Sequence, residues 1–116
     1  MSDKANQCQV DVALDIIVGK WKPTILLHLL NGEPKRFNEL KRLIPNITQR
    51  MLTLQLRELE EQEIINRVVY PQVPPKVEYS ITEYGKSLEP ILTAMHQWGV
   101  NHIERMNSKS NEASNY

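Results

Sequence analysis

Two short amphipathic helices separated by a proline constrain this chain more than any other feature in it. From Phe37 to Ile44, apolar Phe37, Leu40, Leu43 and Ile44 recur at the spacing that lines the inward face of a helix. Pro45 and Asn46 break that helix. Thr48 then offers a hydroxyl to an unpaired first-turn amide of a second helix, expected to reach about Glu61. Two helices joined by a turn of three to four residues form a helix-turn-helix unit. On the second helix Leu52, Leu56 and Leu59 share one face, while Arg50, Leu54 and Arg57 lie opposite with Thr53 at the margin. Leucines inward and arginines outward suit a helix lying in a major groove, where side chains reach base edges. The same arginines can also be read as a solvated helix face.

Charge separates these readings. The chain is neutral overall, yet Gly19 to Arg57 holds eight cations (Lys20, Lys22, Lys35, Arg36, Lys41, Arg42, Arg50 and Arg57) against only Glu33 and Glu39, a net +6. The remaining residues carry −6. A basic segment containing a short amphipathic helix is the electrostatic footprint of a nucleic-acid reader. Glu58, Glu60, Glu61 and Glu63 would repel phosphate, so the DNA-facing part is expected in the N-terminal half of the helix, where free amides favour anions.

The flanking segments complete a domain. Val10, Ala13, Leu14, Ile17 and Val18 predict a first helix over 10–18, ended by Gly19 in a left-handed conformation. A second helix is expected over about 21–30, with Pro23 in its first turn. Its Ile25, Leu26, Leu27, Leu29 and Leu30 are apolar on most sides, which marks a central buried helix. After the helix-turn-helix, Arg67–Tyr70 and Lys76–Ile81 read as a β-hairpin around a tip containing Pro71, Pro74 and Pro75. A hairpin at this place is a wing, and Arg67 and Lys76 are its candidate cations for the groove. Alternatively the hairpin only covers the core, with Lys76 a solubilising edge residue. Thr82 is expected to cap a last long helix over 83–106 that Pro90 bends or splits. Its stripe of Leu88, Ile91, Leu92, Met95, Trp98, Ile103 and Met106 exceeds what the domain core requires. Such a stripe packs on a second copy or folds back on its own domain. The expected organisation is a flexible arm at 1–9, a winged domain with terminal dimerisation helices at 10–106, and a disordered polar tail at 107–116.

Composition excludes several alternatives. At 116 residues, 41% hydrophobic and 24% charged, one soluble globular domain is expected. No apolar run approaches the ~20 residues of a membrane span. The opening MSDKANQCQ has no apolar signal core, so a cytoplasmic location is expected. The single cysteine, Cys8, rules out a disulfide within the chain, and with His28, His96 and His102 badly spaced it cannot form a metal site. No phosphate loop or nucleophile–base pair is present, so neither an enzyme nor a cofactor is expected.

The stretch GKWKPTILLHLLNGEPKRFNELKRLIPNITQRMLTLQLRELEEQEIINR, followed by VYPQVPPKVEYSITEYGKSL and a late Trp98-Gly99, resembles the bacterial, MarR-like HxlR-type regulators. The resemblance covers about Cys8 to Gly99. It implies a winged helix-turn-helix, mainly α with a small β-hairpin, working as a homodimer that binds operator DNA, with repression the expected sign. It places the first and last helices in the dimer interface, here Leu14, Ile91, Leu92, Met95 and Trp98, and the helix capped by Thr48 in the major groove. Gln49, Arg50 and Thr53 are then expected at base edges, and Arg36, Lys41, Arg57, Arg67 and Lys76 at phosphates, with Thr48 at the helix start also counted among the DNA-binding residues. Two positions depart from the family pattern. Leu54 stands where a polar residue, often glutamine, is common, leaving open whether it touches a thymine methyl or only lowers specificity. Gln9 replaces a proline after the cysteine.

Cys8 is a candidate sensor of thiol-reactive effectors. A thiol near a helix N-terminus is activated by the free amides, and in some members of the family this cysteine senses quinones, aldehydes or oxidants. The alternatives are a half-buried interface cysteine with no signalling role, or a small apolar effector held near Met95 and Trp98. A winged helix can also serve as a protein–protein module without touching DNA. That reading predicts no clustering of charge around the reading helix.

Overall fold

The structure is a computed structural model. It describes the backbone of residues 9–17 and 19–114 and the side chains of 9–17 and 19–110. Cys8, most of the expected N-terminal arm and Val18 lie outside the described residues. The elements in order are α1 (Gln9–Ile17), α2 (Lys22–Leu29), β1 (Lys35–Arg36), α3 (Phe37–Leu43), α4 (Gln49–Glu61), β2 (Ile65–Tyr70), β3 (Lys76–Ile81), a 3-10 turn (Gly85–Leu88) and α5 (Glu89–Ser114). The architecture is the expected winged helix-turn-helix. The chain divides after Lys86 into two units, the second consisting essentially of α5.

In the first unit α2 is the hub, packed on α1, α3 and β3. Its Ile25, Leu26 and Leu29 are fully buried, as a mostly apolar short helix requires. Leu40 of α3 and the leucine ridge of α4 (Leu52, Leu56, Leu59) are likewise buried, as are Ile44 and Ile47 at the turn between the two helices. Each such side chain contributes roughly 1.5–3 kcal/mol through removal from water. Leu43, expected inward, is instead 45% exposed. At 100° per residue it lies about 60° round from Leu40, on the far side from Phe37 and Ile44.

The start of α4 is built as the sequence suggests. Thr48 Oγ1 accepts from the Met51 N–H at 3.0 Å, and Asn46 takes the left-handed conformation (φ 71°) that turns the chain. The start of α3 is fastened by Glu39, whose carboxylate accepts from the Arg36 N–H at 3.0 Å. The end of α4 is a Schellman cap without glycine. The Ile64 N–H reaches the Leu59 carbonyl at 3.0 Å, and the Glu63 N–H reaches that of Glu60 at 2.9 Å, with Glu63 at φ 64°. Buried Ile64 and Leu59 supply the apolar contact that accompanies this cap. No residue separates the cap from the wing, because β2 begins at Ile65.

The wing belongs to a three-stranded antiparallel sheet in the order β1–β3–β2. Arg67 pairs with Tyr79 and Ile65 with Ile81 across β2–β3, while Lys35 and Arg36 pair with Tyr79 and Glu78. The short β1 has no counterpart among the expected elements. Thr82 fastens the sheet's exit to the end of α4. Its hydroxyl lies 2.8 Å from the Glu63 carbonyl and 3.0 Å from that of Ile64, and accepts from the Gly85 N–H at 2.8 Å. Gly85 is required there, because a Cβ would collide with the Ile64 carbonyl oxygen and come 2.8 Å from Ile81 Cγ1.

Two expectations for the C-terminal segment are corrected. Thr82 opens the 3-10 turn rather than the long helix, and Pro90 falls in the first turn of α5, where a missing N–H costs nothing, so it marks a boundary and no bend. Residues 107–114, expected to be disordered, continue α5. Adding a residue to a nucleated helix is far easier than starting one, and no Pro or Gly follows Gly99 to stop it. Among the described residues no helix is long and apolar enough to cross a membrane.

Candidate nucleic-acid interface

The leucine ridge decides which residues α4 offers outward. With Leu52, Leu56 and Leu59 buried, helical periodicity turns Gln49, Arg50, Thr53, Leu54 and Arg57 to solvent, where together they line an open pocket of ≈570 Å³. The Thr53 hydroxyl donates to the Gln49 carbonyl at 2.8 Å. Its proton is committed to the backbone, and its oxygen remains available as an acceptor. Among the described residues no ion pair involves Arg50 or Arg57, nor Arg36, Lys41 or Arg67. These cations are exposed and keep their full capacity for a ligand.

A second pocket of ≈300 Å³ joins α4 to the base of the wing, lined by Thr53, Arg57, Glu60, Arg67 and Tyr79. It brings together Arg57 and Arg67, which the sequence places on separate elements. Glu60 and Tyr79 are additions that sequence reasoning missed. The Arg67–Tyr79 pairing sets both on one face of the sheet, a register that the sequence does not reveal. A third pocket of ≈530 Å³ is lined by Arg36, Asn38, Glu39, Lys41 and Arg42. Arg36 and Lys41 are thus brought together, with Asn38 and Arg42 as further polar neighbours at i, i+3 and i+4 spacing.

Lys76 differs from the other candidates. It lies 3.5 Å from Glu78 and over the Tyr70 ring, 5.0 Å from its centroid. Glu78 also accepts a hydrogen bond from Tyr70, which, reinforced by carboxylate repulsion of a phenolate, raises the phenol's pKa above 10.0. The wing strands therefore carry their own neutralised cluster. The acidic end of α4 is likewise less repulsive than its sequence, since Lys22 reaches Glu58 at 2.6 Å. That pair spends one basic-segment cation within the fold.

Of the residues expected in a dimer interface, Leu14 on α1 is 42% exposed. On α5, Ile91, Met95 and Trp98 are 43%, 48% and 67% exposed, and Trp98 stacks on His102 with ring centroids 4.9 Å apart. Leu92, also expected there, is 2% exposed. Cys8, the candidate sensor, lies outside the described residues.

Comparison with known proteins agrees with this geometry. A model of the HxlR-like helix-turn-helix family matches residues 16–107. The HTH-type transcriptional regulator YdeP of Bacillus subtilis is 57% identical over 105 residues, covering 90% of this chain and 81% of that protein. The structure of the redox regulator HypR in its reduced form superposes with a TM-score of 0.82 at 54% identity, covering 87% of this chain and 99% of that one. Its oxidised form gives 0.77 at 58% identity, covering 81% and 96%. The chain belongs to the HxlR-like family, and it is a helix-turn-helix DNA-binding transcriptional regulator.

Proposed function

We propose that the protein is a cytoplasmic homodimeric repressor that lays α4 of each copy in successive major grooves of a pseudo-palindromic operator. The observation that carries this reading is the outward face of α4, where Arg50 and Arg57 are exposed and without an ion-pair partner while the leucines behind them are buried. Gln49, Arg50 and Thr53 then address base edges. Thr48 sets the helix start, whose free amides favour a phosphate. Arg36, Lys41, Arg57 and Arg67 hold the backbone, with Lys76 secondary. Two copies neutralise on the order of 6–10 phosphates, so affinity falls steeply with salt. The exposed stripes of α1 and α5 support dimerisation, and two-fold symmetry places the half-sites about one helical turn or a multiple apart.

The effector reading rests on Cys8 and on the relative described as a redox regulator. Modification of Cys8 by an oxidant or electrophile changes the spacing of the two reading helices and hence DNA affinity. With one cysteine per chain, oxidation joins two chains or takes up a small thiol. The test is binding of purified protein to DNA upstream of its own and adjacent genes, reduced and after mild thiol oxidation, for wild type and Cys8→Ser. Selective, salt-sensitive binding that oxidation alters only in wild type supports the whole reading. An equal response in Cys8→Ser removes the sensor, and absence of selective binding by a folded dimer removes the operator.

A further inference from the structure

One side chain on the reading face of α4 differs in chemistry from everything around it. Leu54 is 43% exposed, whereas Leu52, Leu56 and Leu59 are 0%, 1% and 0% exposed. It stands about 160° around the helix from both Leu52 and Leu56, so it is not a core leucine turned slightly outward. An exposed leucine alone means little. This one shares its pocket with Gln49, Arg50, Thr53 and Arg57, all polar or charged. It lies one turn after Arg50 and one turn before Arg57, at the middle of the face.

An isobutyl group there can bond neither a phosphate nor a base edge. It can gain only by covering another apolar group. The major-groove edges offer one such group, the C5-methyl of thymine. A helix that lies in the groove with Arg50 and Arg57 flanking the contact brings Leu54 to the groove floor between them. We propose that Leu54 is a specificity-determining residue that reads the methyl group of one thymine in each half-site. This rests on the proposed placement of α4 in the major groove, and it adds to the polar contacts a preference that hydrogen bonds cannot supply. Burying one methyl group against leucine is worth about four-fold in affinity per half-site.

The experiment uses the full-length protein and the operator fragment it selects. Each thymine is replaced singly by deoxyuridine, which removes the methyl and leaves the base pair's hydrogen bonds intact. Wild type is expected to bind about four-fold more weakly when one particular thymine per half-site is replaced. Leu54→Ala is expected to bind the thymine and uracil operators equally, with its melting temperature close to wild type, since the site is exposed and alanine favours helix. Leu54→Gln, which reaches one atom further and ends in a polar amide, should lose the same discrimination. The proposal is overturned if no uracil substitution weakens wild type, or if both variants keep the thymine preference. Failure of the operator reading itself looks different, because wild type then selects no fragment and Arg50→Ala changes nothing.

Discussion

The reading helix and the tip of the wing both carry cations, but in opposite states. Arg50 and Arg57 on α4 are exposed and form no ion pair among the described residues. Lys76, at the tip end of β3, is held between Glu78 and the Tyr70 ring. A phosphate that meets Arg50 gains a charge-assisted contact outright. One that meets Lys76 must first replace a carboxylate, so much of the Coulomb gain is an exchange. Arg67, at the wing's base beside Arg57, behaves like the helix rather than like the tip. A count of charge along the chain therefore overstates the wing tip. What decides a cation's availability is its neighbour two residues along the strand or one strand across.

The largest test of this comparison addresses the joint between the two regions. Gly85→Ala drives a Cβ into the Ile64 carbonyl oxygen, backbone that Thr82 and the α4 cap hold in place. It should lower unfolding stability by about 3 kcal/mol, the upper range for overpacking, in denaturant melts. A change under about 0.5 kcal/mol would mean that the joint yields easily, and the wing could then move independently of α4. Next in size is Arg50→Ala, expected to cost roughly 1–3 kcal/mol of operator affinity and to change the ranking of sequence variants in a competition assay. Unchanged affinity and ranking would remove Arg50 from the base contacts.

Sequence periodicity shows the helix side of this comparison better than the wing side. The Thr48 cap and the ridge of Leu52, Leu56 and Leu59 are legible because both are set within a few turns of one helix. The two-residue β1 is not, since Lys35 and Arg36 are too few to show alternation and their partners are distant Tyr79 and Glu78. The Schellman cap leaves no signal in the sequence because Glu63 holds the left-handed position where glycine is the usual mark. Gly85 reads as an ordinary turn glycine, and only the nearby Ile64 carbonyl gives it a reason. Lys22–Glu58 joins residues far apart in the chain, and it alters both the basic count and the acidic one. Of the candidate contacts, the outward set on α4 follows from helical spacing alone, whereas the meeting of Arg57 with Arg67 depends on sheet register.

The base and the tip of the wing can be separated by salt. Arg67→Ala should weaken binding across all sequences and lower the slope of log affinity against log salt by about 1, as expected for one phosphate no longer neutralised. Lys76→Ala should change affinity less than Arg67→Ala, because a phosphate at Lys76 must first replace the Glu78 carboxylate and so gains less from the contact that the substitution removes. Equal weakening by the two, measured over the same salt series, would show that the Lys76–Glu78 pair opens freely and that the tip meets DNA as well as the base does.

The smallest expected effect concerns the cluster that holds Lys76 back. Glu78 favours the neutral Tyr70 phenol by accepting its hydrogen bond and repelling its anion, so the folded-state pKa stands above 10.0. Below the ordinary phenol range both states keep the proton, and this interaction's stability is fully present. As pH rises through the folded value, the unfolded chain has already released its proton and the folded chain is forced to follow, so that stability is lost. Tyr70→Phe should flatten this part of the alkaline decline in stability and leave the neutral range little changed, read as melting temperature from pH 8 to pH 11, roughly bracketing the ordinary phenol pKa. The same variant removes the hydroxyl that helps orient Glu78 toward Lys76 and should bring the Lys76→Ala effect on DNA binding closer to that of Arg67→Ala. An alkaline profile identical to wild type would mean that Tyr70 and Glu78 do not interact in solution, and the contrast between a free helix and a self-neutralised wing would then rest on the Lys76–Glu78 pair alone.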